Sequence, residues 1–234
     1  MWSIIKRNIE IFFKKPFIVF LDLFCIILLF IDVYNNDFDL YNEMIYIITG
    51  TYNLTPTFLF ISFALLINCS YIYLAYRIYK HDMACNKESI FLRISYSKWM
   101  TSNIFSILLI DIFLLFLSSL VFGIYISIIK VEISFHLFSL LIIFLSKLFL
   151  QLILIIFLKI IGNWALIPII VILSVPLVFK TKSLVYIYSI ISNNNILIVF
   201  LIMLIIDIVL ILLSIFFKDK NLVLKGGGKK WKLN

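Results

Sequence analysis

The sequence predicts an all-α membrane protein with six transmembrane helices, an N-terminal amphipathic helix and both termini in the cytoplasm. Hydrophobic residues make up 64% of its 234 residues, charged residues make up 14%, and the mean hydropathy is +1.17. Soluble domains are about 45–50% apolar and about 25% charged, so a single soluble core could not bury this much apolar side chain. Only 6 glycines and 4 prolines occur, which favours long helices over strands joined by tight turns.

Six stretches approach the length of about 20 apolar residues that a helix needs to cross a bilayer. The fifth is the weakest, because it is short and contains Pro168 and Pro176. We expect it to break near Pro176, and a re-entrant or interfacial helix to follow on the outer side over residues 181–192. The predicted spans are residues 16–34, 57–79, 99–129, 135–161, 164–179 and 196–217.

Lysine and arginine are distributed unevenly between the two sides of these spans. With the N-terminus inside, 16 of the 20 basic residues lie in cytoplasmic segments or at the cytoplasmic ends of spans, including those of the basic tail over residues 218–234. The outer segments hold only Lys130, Lys180 and Lys182. This is the bias expected of cytoplasmic loops, so it explains the net charge of +8 without a nucleic-acid partner.

The first 15 residues have the spacing of an amphipathic helix. Such a helix lies in the membrane interface with its apolar face toward the lipid, and Pro16 would end it. An extended basic leader is the alternative. The predicted apolar face holds Trp2, Ile5, Ile9, Phe12 and Phe13, and the polar face holds Ser3, Lys6, Arg7, Glu10 and Lys14.

The cytoplasmic segment between the second and third spans, residues 80–98, is the longest on that side. It begins with polar residues and then carries apolar residues among charges, which predicts a short surface helix that a cytoplasmic protein could contact. A segment that only caps the bundle is the alternative. The residues that we expect to bind the partner are Asn86, Lys87, Glu88, Ile90, Phe91, Leu92, Arg93 and Ile94.

Four ionisable residues, Asp22, Asp111, Lys147 and Asp207, lie well inside predicted spans, away from the span ends. A charge at the bilayer centre costs about 2.5–3.5 kcal/mol, so each should face protein or water. Lys147 and Asp207 lie at comparable depth, and we predict that they pair. Asp22 and Asp111 lie nearer the cytoplasm and could line a vestibule that attracts a cationic peptide. Alternatively, all four fasten the bundle or a dimer interface.

This layout resembles that of ABC-2 type transporter permeases, over the whole chain. The features that it shares are an amphipathic elbow helix, six spans, cytoplasmic termini, a long cytoplasmic segment after the second span and a broken region before the sixth. Within that segment, Lys87-Glu88-Ser89 precedes Phe91-Leu92-Arg93-Ile94-Ser95, and Ser97-Lys98-Trp99 enters the third span. The family's usual Gly-Thr pair after the acidic residue is absent.

The resemblance implies a transport subunit in a bacterial plasma membrane that has no ATPase of its own. A separate ATP-binding subunit, which would carry the ATP and Mg²⁺, is expected to dock at residues 86–98 and to rock the spans of a permease dimer, built from two copies or from a related chain. The chain is similar to permeases that export bacteriocins or other amphipathic peptides, or clear them from the producer's membrane.

Two other classes of function compete with transport driven by ATP. A membrane immunity protein would bind a peptide toxin without ATP, and a secondary transporter would couple transport to an ion around Lys147 and Asp207. An intramembrane enzyme is not expected, because no protease motif is present. No bound cofactor or metal is expected, because His81 and His136 lie in unrelated segments.

Overall fold

The computed structural model describes residues 1–14, 17–35, 58–85, 94–129, 137–169 and 196–217. These residues are helical apart from a few at helix ends, and they include no strand, which confirms the prediction of an all-α protein for this part of the chain. The helices are α1 (Trp2–Phe13), α2 (Phe17–Asn35), α3 (Phe58–Cys85), α4 (Tyr96–Ile129), α5 (Leu137–Ile161) and α6 (Ile196–Phe216).

Among the described residues, two stretches are long and apolar enough to cross a membrane, judged by length and composition. They are Tyr96–Val121 within α4, and Phe144–Ile169, which covers most of α5 and the turns that follow it. Shorter apolar helices run over Val19–Leu28 and Phe200–Phe216. These stretches indicate that the protein associates with a membrane.

Helix α5 ends at a glycine. Gly162 has a φ of 66°, in the left-handed region that a residue with a Cβ rarely adopts. A left-handed glycine is a common helix terminator. A 3₁₀ turn over Gly162–Ala165 follows, and a further helical turn covers residues 166–169.

Helices α3, α5 and α6 run in the same direction. Between α3 and α5, Asn68 is bonded to Lys147 and Lys80 is bonded to Asn163, so the partners advance together along both helices. Between α5 and α6, Leu145 packs with Met203 in one apolar cluster. Fourteen residues further along α5, Lys159 contacts Ser214.

Helix α4 runs the opposite way. Asp111 in its middle contacts Gln151 of α5, and Tyr96 at its start lies beside Lys159 near the end of α5. The start of α4 therefore meets the ends of α5 and α6. We call this the basic end of the bundle, because Lys80 and Lys159 also lie there.

Helix α1 packs along the first half of α4 and runs in the same direction. Asn8 donates hydrogen bonds to Asn103 Oδ1 at 2.8 Å and to Ser106 Oγ at 3.1 Å, and the Phe13 ring lies 5.5 Å from the Phe113 ring, edge to face. The buried strip of α1 comprises Ile4, Ile5, Asn8 and Phe12.

The apolar face predicted for α1 is divided in the structure. Ile5 and Phe12 are buried, whereas Trp2 is 69% exposed and Phe13 is also exposed. The exposed apolar strip lies beside the strip that carries Lys6, Glu10 and Lys14, all of which are exposed. Helix α1 therefore has a protein-facing strip, an exposed apolar strip and a charged strip, and its location in the membrane interface stays a prediction.

Several predicted features fall outside the described residues. They are the break near Pro176, the helix over residues 181–192, the basic tail over 218–234 and most of the segment that we expect to bind a partner, residues 86–93.

Candidate functional site

Polar side chains from three helices meet inside the bundle. Gln151 of α5 donates a hydrogen bond from Nε2 to Asp111 Oδ1 of α4 at 3.0 Å, and another to the backbone carbonyl of Tyr71 in α3 at 3.2 Å. Gln151 and Asp111 are both buried. One amide group therefore connects α3, α4 and α5 in an otherwise apolar interior.

Lys147, one helical turn before Gln151, extends this arrangement toward α3. Its Nζ donates a hydrogen bond to Asn68 Oδ1 and lies 5.4 Å from the centre of the Tyr71 ring. A desolvated ammonium over an aromatic face is stabilised by the ring quadrupole. We call these five residues the polar cluster: Asn68, Tyr71, Asp111, Lys147 and Gln151.

The polar cluster gives hydrogen bonds to some of the groups that would be costly to bury alone, although Asp111 Oδ2 and Gln151 Oε1 accept none within the described part of the chain. A buried polar group without a hydrogen bond costs about 1–3 kcal/mol in proteins, and an unpaired charge costs more. Within the cluster, Lys147 and Gln151 of α5 donate hydrogen bonds to oxygen atoms of α3 and α4. The arrangement holds α3, α4 and α5 in one register. It favours the alternative in which Asp111 and Lys147 fasten the bundle over the one in which they serve transport.

The structure does not bring Lys147 and Asp207 together as the predicted pair. Lys147 points toward α3, whereas Lys159 on the same helix contacts α6. Because each residue turns a helix by about 100°, these two lysines point about 120° apart around α5. Counting residues along the chain predicted the depth of Lys147 in the membrane. It did not predict which face of α5 carries Lys147.

Asp207 is buried on α6, with 2% of its surface exposed. Neither of its carboxylate oxygens has a hydrogen-bond partner within the described part of the chain. Asp207 therefore differs from Asp111, which is also buried but accepts a hydrogen bond from Gln151.

The vestibule predicted for Asp22 and Asp111 is not seen at Asp111. That residue is 1% exposed and hydrogen-bonded to Gln151, so it does not face a water-filled space. Asp22 lies on α2, but its side chain is outside the described set.

A second set of polar contacts lies at the basic end. Lys80 Nζ of α3 donates a hydrogen bond to Asn163 Oδ1 in the 3₁₀ turn after α5. Lys159 Nζ donates hydrogen bonds to the backbone carbonyls of Ser214 and, at 3.1 Å, Phe217. These contacts join the ends of α3 and α5, and of α5 and α6.

Aromatic rings join α3 to α4 at the same end. The Trp99 ring lies 5.7 Å from the Tyr79 ring and 5.6 Å from the Tyr96 ring. From the sequence alone, Trp99 and Trp164 lie at the inner ends of predicted spans, a position that predicts anchors in the membrane interface. Trp99 has no exposed surface and so cannot act as such an anchor, whereas Trp164 is 71% exposed. Trp99 is buried because α4 begins three residues before it and packs its first turn against α3.

Of the residues predicted to bind a partner, only Ile94 is described. It is half-buried and packs against the main apolar core, immediately before α4. Asn86, Lys87, Glu88, Ile90, Phe91, Leu92 and Arg93 are outside the described residues.

Sequence reasoning missed Asn68, Tyr71, Gln151 and the buried role of Lys159. A signal was present, because Lys147 and Gln151 are four residues apart on α5, and Asn68 and Tyr71 are three apart on α3. Such pairs share one face of a helix. The polar face of α5 and the polar face of α3 could therefore have been predicted to contact each other.

Among the described residues, no group of three or more histidine, cysteine, aspartate or glutamate side chains could hold a metal ion. The chain was also compared with known proteins. No family model matches it, and neither a curated protein nor a solved structure does so.

Proposed function

We propose that the chain is the transmembrane subunit of an ATP-driven exporter in a bacterial plasma membrane. The exporter would move an amphipathic or antimicrobial peptide out of the membrane or cytoplasm, and a separate ATPase subunit would dock at residues 86–94. The observation that carries this proposal is that the two helices flanking that segment meet at the basic end, where Tyr79 of α3 and Tyr96 of α4 both contact the buried Trp99 ring.

The contacts at the two ends suit the transmission of force. Ile94 packs against the core on one side of the segment, and α3 ends at Cys85 on the other. Just inside these ends, Tyr79 of α3 and Tyr96 of α4 contact the buried Trp99 ring from two sides. These ring contacts would allow α3 and α4 to move together when the segment between them is pushed.

The helix directions support six spans. Helices α5 and α6 run the same way, whereas consecutive spans alternate in direction, so one more crossing is expected between these two helices. A crossing there is the predicted fifth span. The lysines of the basic end, together with the positive-inside bias, favour placing that end in the cytoplasm.

A path for the peptide is expected between two permeases rather than through one. The interior between α3, α4 and α5 is filled by buried apolar side chains and by the polar cluster. An amphipathic peptide would therefore move along a surface of the bundle. That surface requires a second permease, either another copy of this chain or a related one.

The proposal is tested by purifying the tagged chain from its own cells in mild detergent and identifying the proteins that accompany it. We expect an ATP-binding subunit, which is lost when Ile90–Ile94 is replaced by polar residues. Phe216→Ser is the matched control, because Phe216 is a highly exposed apolar residue at the same end but on α6. Recovery of the chain alone, under conditions that keep a known transporter intact, would contradict the proposal and favour the immunity protein or the ion-coupled transporter.

One observation favours a second candidate, an ion-coupled transporter. Asp207 is a buried acid on an apolar helix without a hydrogen-bond partner among the described residues, and intramembrane acids often mark ion or proton paths. Transport into vesicles distinguishes the two candidates. An ion-coupled transporter would respond to a proton or sodium gradient without ATP and would lose that response with Asp207→Asn.

A further inference from the structure

Lys159 neutralises the carbonyl end of α6 from a neighbouring helix. It is 1% exposed, and its ammonium donates hydrogen bonds to the carbonyls of Ser214 and Phe217. The last four carbonyls of a helix have no partner within it, and the helix dipole places partial negative charge there. A buried cation at this position is therefore well matched to the end of α6.

Tyr96 connects the same carbonyl end to α4. Its hydroxyl donates a hydrogen bond to the Phe217 carbonyl at 3.3 Å, and its ring centre lies 5.3 Å from Lys159 Nζ. We call this set the Lys159 bridge: Lys159, Tyr96 and the carbonyl groups of Ser214 and Phe217. It joins the start of α4, the last turn of α5 and the end of α6.

The position of Tyr96 gives the bridge its significance. Tyr96 is the first residue of α4 and lies two residues after Ile94, where the proposed docking segment ends. Any displacement of that segment reaches Tyr96 before it reaches the rest of α4. The nearby bond between Lys80 and Asn163 has no part in this connection, because it joins α3 to the turn after α5.

We propose that the Lys159 bridge passes movement of the docking segment to α6, so that α6 responds when the ATPase subunit binds. The direction of this response rests on the proposed function. The energetic connection between the start of α4 and the end of α6 does not, and it can be measured on the chain alone.

The first experiment measures amide hydrogen exchange of the purified chain in lipid nanodiscs. Lys159→Met should accelerate exchange about tenfold at residues 213–217, where the Phe217 amide donates to the Leu213 carbonyl at 2.8 Å. It should also accelerate exchange at residues 96–100. Tyr96→Phe, which removes only one hydroxyl group, should give a smaller acceleration of exchange at residues 213–217 and 96–100. This milder variant keeps the proposal testable if Lys159→Met does not fold.

Lys80→Met is the matched control, because it removes a lysine bonded at the same end without touching α6. It should leave exchange at residues 213–217 unchanged. The bridge is overturned if Lys159→Met changes the end of α6 but not the start of α4, or if Lys80→Met changes α6 as strongly.

The second experiment repeats the exchange measurement on the complex with the co-purified ATPase subunit. With ATP, the unaltered chain should show changed exchange at both residues 94–98 and residues 213–217. In Tyr96→Phe the first change should remain and the second should weaken, and equal changes in both chains would overturn the transmitting role. If no ATPase subunit is recovered, the proposed function fails, and the first experiment still decides whether the two helix ends are coupled.

Discussion

Gln151 of α5 donates a hydrogen bond to Asp111 of α4 at 3.0 Å, 40 residues away in the sequence, and both side chains are buried. The same amide also bonds the Tyr71 carbonyl of α3. Gln151→Leu should lower the free energy of unfolding by about 1–3 kcal/mol, because it removes the Gln151 donor from the buried Asp111 Oδ1 oxygen. Unfolding of the purified protein by titration with a denaturing detergent measures this.

The double variant Gln151→Leu with Asp111→Leu supplies the control. Replacing both partners of a buried hydrogen bond by apolar groups costs less than removing one of them. The double variant should therefore be more stable than Gln151→Leu alone. If the stability losses of Gln151→Leu and Asp111→Leu simply add in the double variant, the hydrogen bond between the two residues is not the cause of the loss.

Substitution of Asp207 should raise the free energy of unfolding, whereas substitution of Gln151 should lower it. The carboxyl group of Asp207 has no hydrogen-bond partner among the described residues, so Asp207→Asn should raise stability by about 1–3 kcal/mol, because it removes an acid that costs free energy to bury whether it stays charged or has to be protonated. Asp111→Asn is the matched control, because an asparagine oxygen can still accept from Gln151, and it should bring no gain. The same detergent titration measures both, and a loss of stability in Asp207→Asn would mean that the carboxylate has a stabilising partner.

The contrast between Lys147 and Asp207 shows what the sequence could predict. Length and hydropathy placed most ends of the described helices within a few residues, because an apolar run is read directly along the chain, but α3 continues to Cys85, past the predicted end of the second span at residue 79. They placed Lys147 and Asp207 at similar depth. Which face of α5 carries Lys147 is not encoded in a uniformly apolar helix, and its neutral partner Asn68 carries no charge to attract notice. The pairing was therefore wrong, although Lys147 does have a polar partner.

Exchanging the two charges tests that correction. Lys147→Asp combined with Asp207→Lys should recover none of the stability lost in Lys147→Asp, because Lys147 is bonded to Asn68 and not to Asp207. Lys147→Asp should in turn lose stability, since a second acid would lie against the Asn68 oxygen and the Tyr71 ring face. Recovery of stability in the double variant would restore the original pairing hypothesis.

Asn8 should determine how α1 is attached to the bundle. It bonds both Asn103 and Ser106 across a buried contact, so Asn8→Leu should release α1 from α4 and cost about 1–2 kcal/mol. Faster amide exchange over residues 4–12 measures the release. Ser3→Ala, on an exposed part of the same helix, should change nothing. Unchanged exchange in Asn8→Leu would mean that Ile4, Ile5 and Phe12 hold α1 without the polar contact.

Trp99 illustrates a feature that hydropathy could not reveal. An aromatic residue at the end of an apolar run is typical of a membrane-interface anchor, and that pattern describes Trp99 and Trp164 equally well. The difference arises from packing, because the Trp99 ring contacts Tyr79 and Tyr96, whereas no such enclosure covers Trp164.

The two tryptophans should therefore differ in fluorescence quenching. In variants that retain a single tryptophan, lipids brominated near the headgroup should quench Trp164 strongly and Trp99 weakly, because Trp99 has no exposed surface. In the Trp99 protein, Tyr79→Ala should open one side of the ring and increase quenching, whereas Tyr73→Ala, at an exposed position of the same helix, should not. Equal quenching of Trp99 and Trp164 in the unaltered background would mean that the α3–α4 contact at the basic end opens in the bilayer. Docking force could then not pass from the segment to both helices.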